Sequence, residues 1–143
     1  YVEMAAMSNN GTRRDISLND GSSTSLISIG FGETDNTIVA RINATGFNGL
    51  DAEVTIPDAT RYSKVALVYY ISDNILIRSF FNVFIDGVLS IEQEVPQEIT
   101  GGTLTQLSFD TSGISPTPFY GKVKDLRIYD EIPTENELIS LTS

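Results

Sequence analysis

The chain has 143 residues, of which 41% are hydrophobic, enough for one globular domain with its own core. It contains no histidine and no cysteine, which excludes disulfides, thiolate chemistry, the usual zinc sites and any catalytic triad that needs an imidazole. The 19 acidic residues outnumber the 9 Lys and Arg residues and give a net charge of −10, so nucleic acid is not an expected partner.

Short apolar or alternating segments, separated by turn residues, predict β-strands along the whole chain. The longest apolar run, 65–71, is too short to span a bilayer, so we expect no membrane insertion. Residues 64–72 are apolar on both faces, which is typical of a central strand covered on both sides. The predicted strands are 2–7, 13–18, 25–31, 38–42, 52–56, 64–72, 75–85, 88–95, 104–109 and 119–130.

The last strand and the residues after it have an unusual pattern. Val123 is apolar at an odd position, whereas Leu126 and Ile128 are apolar at even positions. Because neighbouring side chains alternate between faces, an extra residue near Lys124-Asp125 has to restore the phase as a β-bulge. After Pro133, the spacing of Thr134 and Glu137 predicts a capping box at the start of one short helix.

About ten strands, with no helix long enough for a parallel crossover, predict one all-β domain over residues 1–143. The expected architecture is a two-sheet antiparallel β-sandwich of the jelly-roll type, with one short C-terminal helix. Alternation within the strands gives the predicted core. It comprises Ile27, Ile29, Phe31, Ile42, Val65, Leu67, Val83, Ile85, Leu107, Phe109, Leu126 and Ile128.

Three segments carry a family resemblance: Asn82-Val83-Phe84-Ile85-Asp86-Gly87-Val88, Leu107-Ser108-Phe109-Asp110, and the stretch from Phe119 to Leu141. They resemble the concanavalin A-like lectin/glucanase superfamily, and more narrowly its laminin-G-like jelly-roll modules. The resemblance implies a sandwich of two curved antiparallel sheets, in agreement with the strand pattern. Its members include glycan-binding, protein-binding, catalytic and purely structural domains, so the fold alone does not decide the function.

Earlier segments are similar to a subgroup of this superfamily found in phage virion and tail-fibre proteins. This similarity implies display on a virion surface or in another extracellular setting, and by analogy a homo-oligomer with threefold symmetry. The segments are Tyr1-Val2-Glu3-Met4, Arg14-Asp15-Ile16-Ser17-Leu18 and Lys64-Val65-Ala66-Leu67.

Two pairs of acidic residues are candidates for glycoside hydrolysis, which needs two carboxylates across the scissile bond. Glu33 and Asp35 begin the pattern seen in glucanases of this superfamily, but Ile38 stands where its last Glu belongs. Glu92 and Glu94 alternate beside Pro96 and are expected at a sheet edge. An exposed polar strand face explains both pairs, so we predict a protein that is not an enzyme.

No cofactor is expected, with calcium as the alternative in a laminin-G-like fold. Calcium needs six to eight converging oxygens, and the chain has no Asp-x-Asp-x-Asp-Gly loop. Acidic and amide side chains in turns could still converge in space, although turn chemistry alone accounts for them. These residues are Asp35, Asn36, Asp73, Asn74, Asp86 and Asp110.

Sugar recognition combines an aromatic face with amide or carboxylate groups for the hydroxyls. Tyr70, Phe47 and Tyr120 are the aromatic residues expected to be accessible, and Asp73 and Asn74 are the polar partners near Tyr70. The predicted carbohydrate site is therefore Tyr70, Asp73, Asn74 and Tyr120. The alternative for Tyr70 is packing between sheets or against a neighbouring subunit, and the absence of Trp favours that alternative.

The expected function is non-enzymatic binding of host cell-surface glycan by a phage virion or tail-fibre module, made effective by many copies on one particle. The alternative is a structural decoration or assembly domain with no glycan ligand, whose partners are other virion subunits.

Overall fold

A computed structural model describes residues 1–22, 25–44, 47–70, 79–95, 104–111 and 117–143. The chain divides into two compact units. Unit 1 consists of Tyr1–Met7, Thr60–Gln97 and Gly121–Ser143, and unit 2 consists of Ser8–Ala59 and Glu98–Tyr120. Each unit holds one five-stranded antiparallel sheet.

The regular elements follow the order predicted from the turn residues. They are β1 Val2–Ala6, β2 Arg14–Asn19, β3 Leu26–Phe31, β4 Thr37–Ala44, β5 Phe47–Thr55, β6 Ser63–Tyr70, β7 Ser79–Ile85, β8 Val88–Val95, β9 Gln106–Ser108, β10 Gly121–Leu126 and α1 Glu135–Thr142.

The sheet of unit 1 has the strand order β10-β1-β6-β7-β8, which places the most hydrophobic strand, β6, in the centre. Its side chains are buried on both faces, since Val65 is 0% and Ala66 2% exposed. The prediction of a central strand covered on both sides is confirmed. The β7–β8 hairpin turns at Asp86 and Gly87, whose φ angles of 47° and 82° fit the tight turn predicted there.

The helix α1 belongs to unit 1 and begins with the predicted capping box. The Thr134 hydroxyl accepts from the backbone N–H of Glu137, and the Glu137 carboxylate accepts from the backbone N–H of Thr134 at 2.8 Å. Leu138 then packs on Ala66, Val68 and Phe84. Among the described residues no helix is long and apolar enough to cross a membrane.

The predicted bulge in the last strand is present at Lys124. Glu3 pairs with Asp125 and Met4 pairs with Val123, so Lys124 is the extra residue opposite β1. The strand is shorter than predicted, because β10 ends at Leu126. One further pair of backbone hydrogen bonds joins Tyr1 and Arg127, each at 2.9 Å.

The sheet of unit 2 has the strand order β5-β4-β3-β2-β9. Cross-strand neighbours on one face are apolar, and the buried ones form the core of this unit. They include Ile16, Ile27, Phe31, Ile38, Ala40, Ile42 and Ala52. Gly30 is required in this sheet, because a Cβ there would lie 1.7 Å from the backbone oxygen of Arg14.

Three of the predicted core residues are wrong: Leu107, Phe109 and Ile128 are 43%, 50% and 59% exposed. Leu107 lies on β9, a strand of three residues at the edge of the sheet that the described residues form. Phe109 follows that strand, and its ring makes an edge contact with Phe119, with 6.2 Å between centroids. Ile128 lies beyond the end of β10, in the connection to α1.

The fold class is all-β, a β-sandwich class built from two antiparallel five-stranded sheets and one short C-terminal helix, as predicted. Strand boundaries differ from the predicted ones by one or two residues at most positions, and by several at β5 and β10. Residues 71–78, which include the start of the predicted strand 75–85, lie outside the described residues.

Candidate functional site

One face of the unit 2 sheet carries mostly polar side chains, apart from the buried Leu26 and Val39, and the opposite face is apolar. We call the mostly polar side the hydrophilic face. Ser17, Ser28, Arg41 and Asp51 are cross-strand neighbours in one row from β2 to β5. Since side chains alternate along each strand, the residues two positions away lie on the same face. On β2 these are Asp15 and Asn19, and on β5 Glu53.

The part of the hydrophilic face over β2 and β3 is closed by hydrogen bonds. Asp15 is fully buried and accepts from Arg13 Nε at 2.9 Å, Ser28 Oγ at 3.2 Å and Thr117 Oγ1 at 2.7 Å. A buried carboxylate is stable only with such partners. Asn19 is also fully buried and donates to Ser17 Oγ at 3.0 Å. This part serves the fold.

The part of this face around Arg41 on β4 and Asp51 on β5 is open. Together with Arg13 and the buried Asp15 of β2, these two residues form what we call the guanidinium cluster. Asp51 accepts from both Nε and Nη2 of Arg41, the second bond measuring 2.7 Å, and it lies 3.4 Å from Nη1 of Arg13. The side chains of Arg41 and Asp51 are 28% and 48% exposed. Two-point pairing of a guanidinium with a carboxylate fixes the orientation of both groups.

The ion pair favours the ionised forms of both Arg41 and Asp51. The hydrogen bond from Arg41 lowers the pKa of Asp51, and the same bond raises the pKa of Arg41. Arg13 is held from two sides by Asp15 and Asp51, yet its Nη2 is buried without a hydrogen-bond partner among the described residues. The cluster therefore combines oriented donors and acceptors at the surface with one buried NH2 group of Arg13 that has no partner among the described residues.

The described residues contain no group of three His, Cys, Asp or Glu side chains placed to hold a metal ion. Glu33 and Asp35 are exposed in the connection between β3 and β4, and Glu92 and Glu94 are exposed on β8. Because β8 is an edge strand, the expected position of the second pair is confirmed.

The described residues of the predicted carbohydrate site, Tyr70 and Tyr120, belong to different units. Tyr70 ends β6 in unit 1 and stacks on Phe80, with 5.8 Å between the ring centroids. Tyr120 belongs to unit 2 and is 67% exposed. Asp73, Asn74 and the side chain of Phe47 lie outside the described residues. The site proposed from these residues stays a prediction.

Sequence reasoning did not identify the guanidinium cluster. The alternation of β4 already showed that Arg41 points away from the face of Ile38, Ala40 and Ile42. Its partner Asp51 could not be assigned, because residues 46–62 lack a regular alternation and the register between β4 and β5 shifts near Ala44.

Comparisons with known proteins give one structural similarity. No protein-family model matches the chain, and no curated protein sequence matches it either. Among solved structures, the chain is similar to the CBM40 module of Ruminococcus gnavus IT-sialidase bound to α2,6-sialyllactose, with a TM-score of 0.57 and 16% identity. The alignment covers 99% of this chain and 80% of that chain. At this identity the similarity shows a shared fold.

Proposed function

We propose that this chain is a non-enzymatic glycan-binding module and that sugar binds at the guanidinium cluster. The observation that carries the proposal is the pair Arg41–Asp51, oriented by two hydrogen bonds on the open part of the hydrophilic face. Its support is the fold similarity to a module seen with sialyllactose. Sugar hydroxyls both donate and accept hydrogen bonds, and the cluster presents N–H donors beside carboxylate oxygens.

The cluster is suited to a weak but oriented interaction. Arg41 and Asp51 hold each other, so little side-chain freedom remains to be lost when a ligand binds. Glu53 lies two positions from Asp51 on the same face, and it extends the polar surface along β5. This surface is shallow, unlike a deep pocket, and it has room for one or two sugar units.

Weak binding of this kind becomes effective when several copies act together. We therefore propose a homo-oligomer, a trimer by family analogy, displayed in an extracellular setting such as a phage virion or tail-fibre surface. We propose that binding needs no cofactor. The virion setting rests on the sequence resemblance.

The alternative function is a structural decoration or assembly domain that contacts other virion subunits. Its support is the set of large apolar side chains left at the surface, because such residues often mark protein contacts when they lie together. The most exposed of them in unit 2 are Tyr120 and Phe109, at 67% and 50%.

A glycan array probed with a trimerised form of the chain separates the two functions. Glycan binding predicts selective signals, and the structural alternative predicts none. Arg41→Ala and Asp51→Asn should each weaken a positive signal about tenfold, the scale of one lost charge-assisted hydrogen bond. Arg61→Ala is the matched control, since Arg61 is an exposed arginine of unit 1. Equal signals from all these variants would exclude the guanidinium cluster as the site.

The same array tests the carbohydrate site proposed from sequence. Tyr70→Ala, Asp73→Ala, Asn74→Ala and Tyr120→Ala should leave the signal within about twofold if the guanidinium cluster is the binding site. A loss confined to these variants would instead move the site to the predicted residues.

A further inference from the structure

Half of one face of the unit 1 sheet is left uncovered by the helix. With eight residues, α1 is about 12 Å long, and it packs against β6, β7 and β8. Beside it, over β1 and β10, lies a groove with a volume of about 550 Å³. This volume is within the range of small-molecule binding sites.

The base of the groove is a row of alternating charges across three strands. Lys64 on β6, Glu3 on β1 and Asp125 on β10 are cross-strand neighbours. They lie on the same face as Ala66, which is two residues after Lys64. The side chain of Ala66 packs against the helix. Charged side chains therefore occupy the part of this face that α1 does not cover.

The bulge at Lys124 adds a second cation to the groove. Consecutive residues of a regular strand point to opposite faces, yet both Lys124 and Asp125 line the groove. The extra residue turns the Lys124 ammonium toward Glu3, with 2.8 Å between Nζ and Oε1. Bulges are often found where a strand re-aims a side chain next to a binding site.

Arg127 completes this side of the groove. Its Nη2 lies 2.6 Å from Asp125 Oδ2, and its guanidinium lies 5.7 Å from the ring centre of Tyr1. The hydrogen bond from Arg127 lowers the pKa of Asp125, which therefore stays ionised as an acceptor. Ser140 of α1 lines the opposite side and adds a hydroxyl.

The charges of the groove balance. A free anion meets carboxylates there and a free cation meets ammonium and guanidinium groups, so neither is favoured. An ammonium has three N–H donors and a carboxylate about four acceptor positions, so the ion pairs leave donors and acceptors to spare. The charged lining residues are Lys64, Lys124 and Arg127 against Glu3, Asp125 and Glu137.

We propose that this groove is a second saccharide subsite, which binds one or two neutral sugar units. Neutral sugars supply hydroxyl groups that donate and accept at once, as the balanced lining requires. The inference rests on the proposed glycan-binding function and adds a site in unit 1, separate from the guanidinium cluster in unit 2.

Titration of the ¹⁵N-labelled chain with neutral sugars, followed by NMR chemical shifts, tests the subsite. The probes are glucose, galactose, mannose, N-acetylglucosamine and lactose, each raised to a concentration of about 50 mM. We expect at least one of them to shift the backbone amide signals of Glu3, Lys64, Asp125 and Ser140 in a saturable manner. If none of these amides responds to any probe, the subsite does not exist.

Two lysines of the same strand provide a matched comparison. Lys124→Met should weaken the sugar response about fivefold, the scale of one lost hydrogen bond. Lys122→Met should leave it within about twofold, because Lys122 is exposed on β10 but does not line the groove. Ser140→Ala is a second probe on the helix if Lys124→Met does not fold. Equal affinity in all three variants would overturn the assignment.

The titration also separates failure of the subsite from failure of the proposed function. If α2,6-sialyllactose or a neutral sugar shifts the amides around Arg41 and Asp51 while the groove stays silent, only the subsite is wrong. If no glycan shifts any amide and the array is blank, the glycan-binding function itself is wrong. Neutral sugar bound in the groove of Arg41→Ala would show that the two sites act independently.

Discussion

Asp51 shows how a single surface residue can serve both the fold and a ligand. Two guanidinium groups approach its carboxylate, and its side chain is still 48% exposed. Exposed ion pairs contribute little to stability because water screens them. Arg41 and Asp51 can therefore be replaced with a small cost in stability, which makes them clean probes of binding.

The pKa of Asp51 predicts a pH dependence of stability. Its pKa lies below the ordinary value of 3.8, mainly because of the hydrogen bond from Arg41. A lowered carboxylate pKa stabilises the fold above the unfolded pKa, and this stabilisation is lost as pH falls through the folded value. We expect Asp51→Asn to cost roughly 0.2–1 kcal/mol at pH 7 and almost nothing near pH 2.

Urea unfolding of the wild-type chain and of Asp51→Asn at both pH values measures this difference. Asp35→Asn is the control in the same unit, since Asp35 is exposed in the connection between β3 and β4. A cost for Asp51→Asn that stays constant down to pH 2 would contradict the role of the ion pair.

At the level of single residues, side-chain contacts between neighbours in sequence could be predicted, whereas contacts between distant residues could not. Thr134 and Glu137 are three positions apart, so their reciprocal hydrogen bonds could be inferred from spacing alone. Arg41 and Asp51 meet only because β4 and β5 pair in one particular register. Nothing in the sequence around either residue specifies that register, so the cluster could not be predicted.

The elements were predicted well where the pattern was regular and less well at their ends. The bulge at Lys124 followed from a change of phase within a few residues, and the structure confirms it. The same pattern continued to Ile128, although β10 ends at Leu126 and the last pair of backbone hydrogen bonds is at Arg127. The alternation of side chains predicts which residues would share a face of the sheet. It does not predict where the strand ends, because that depends on the length of the partner strand.

The helix α1 depends on one buried side chain. Leu138 is 6% exposed and packs on Ala66, Val68 and Phe84 of the sheet. An isolated helix of this length is not stable in water, so its packing has to hold it. We expect Leu138→Ala to lower the free energy of unfolding by about 2–3 kcal/mol.

Denaturant unfolding of Leu138→Ala measures this loss. Asn136→Ala is the matched control two residues earlier, where the exposed side chain should contribute less than about 0.5 kcal/mol in either direction. If the two variants were equally stable, the helix would not be anchored through Leu138.

For the whole molecule, the net charge of −10 is a general source of self-repulsion. The Debye length falls from about 30 Å at 0.01 M salt to a few ångströms at 0.5 M, so salt screens this repulsion. The exposed ion pairs lose strength as well, but each contributes little. We therefore expect the melting temperature to rise by a few degrees as sodium chloride increases from 0.01 to 0.5 M.

Thermal unfolding followed by circular dichroism measures this shift. A melting temperature that falls with salt would mean that the surface ion pairs, such as Lys124–Glu3, outweigh the repulsion between like charges. The same series with sucrose in place of salt controls for effects of solute that do not depend on charge.

The buried Asp15 has a consequence for the order in which the chain can assemble. One of its three hydrogen-bond donors, Thr117, is 102 residues away in sequence, while Arg13 and Ser28 are close by. During synthesis the first strands of unit 2 emerge long before that hydroxyl does. A nascent chain that stops short of Thr117 leaves this buried carboxylate with one of these three hydrogen bonds missing, so the sheet reaches its final stability only after Thr117 has been added.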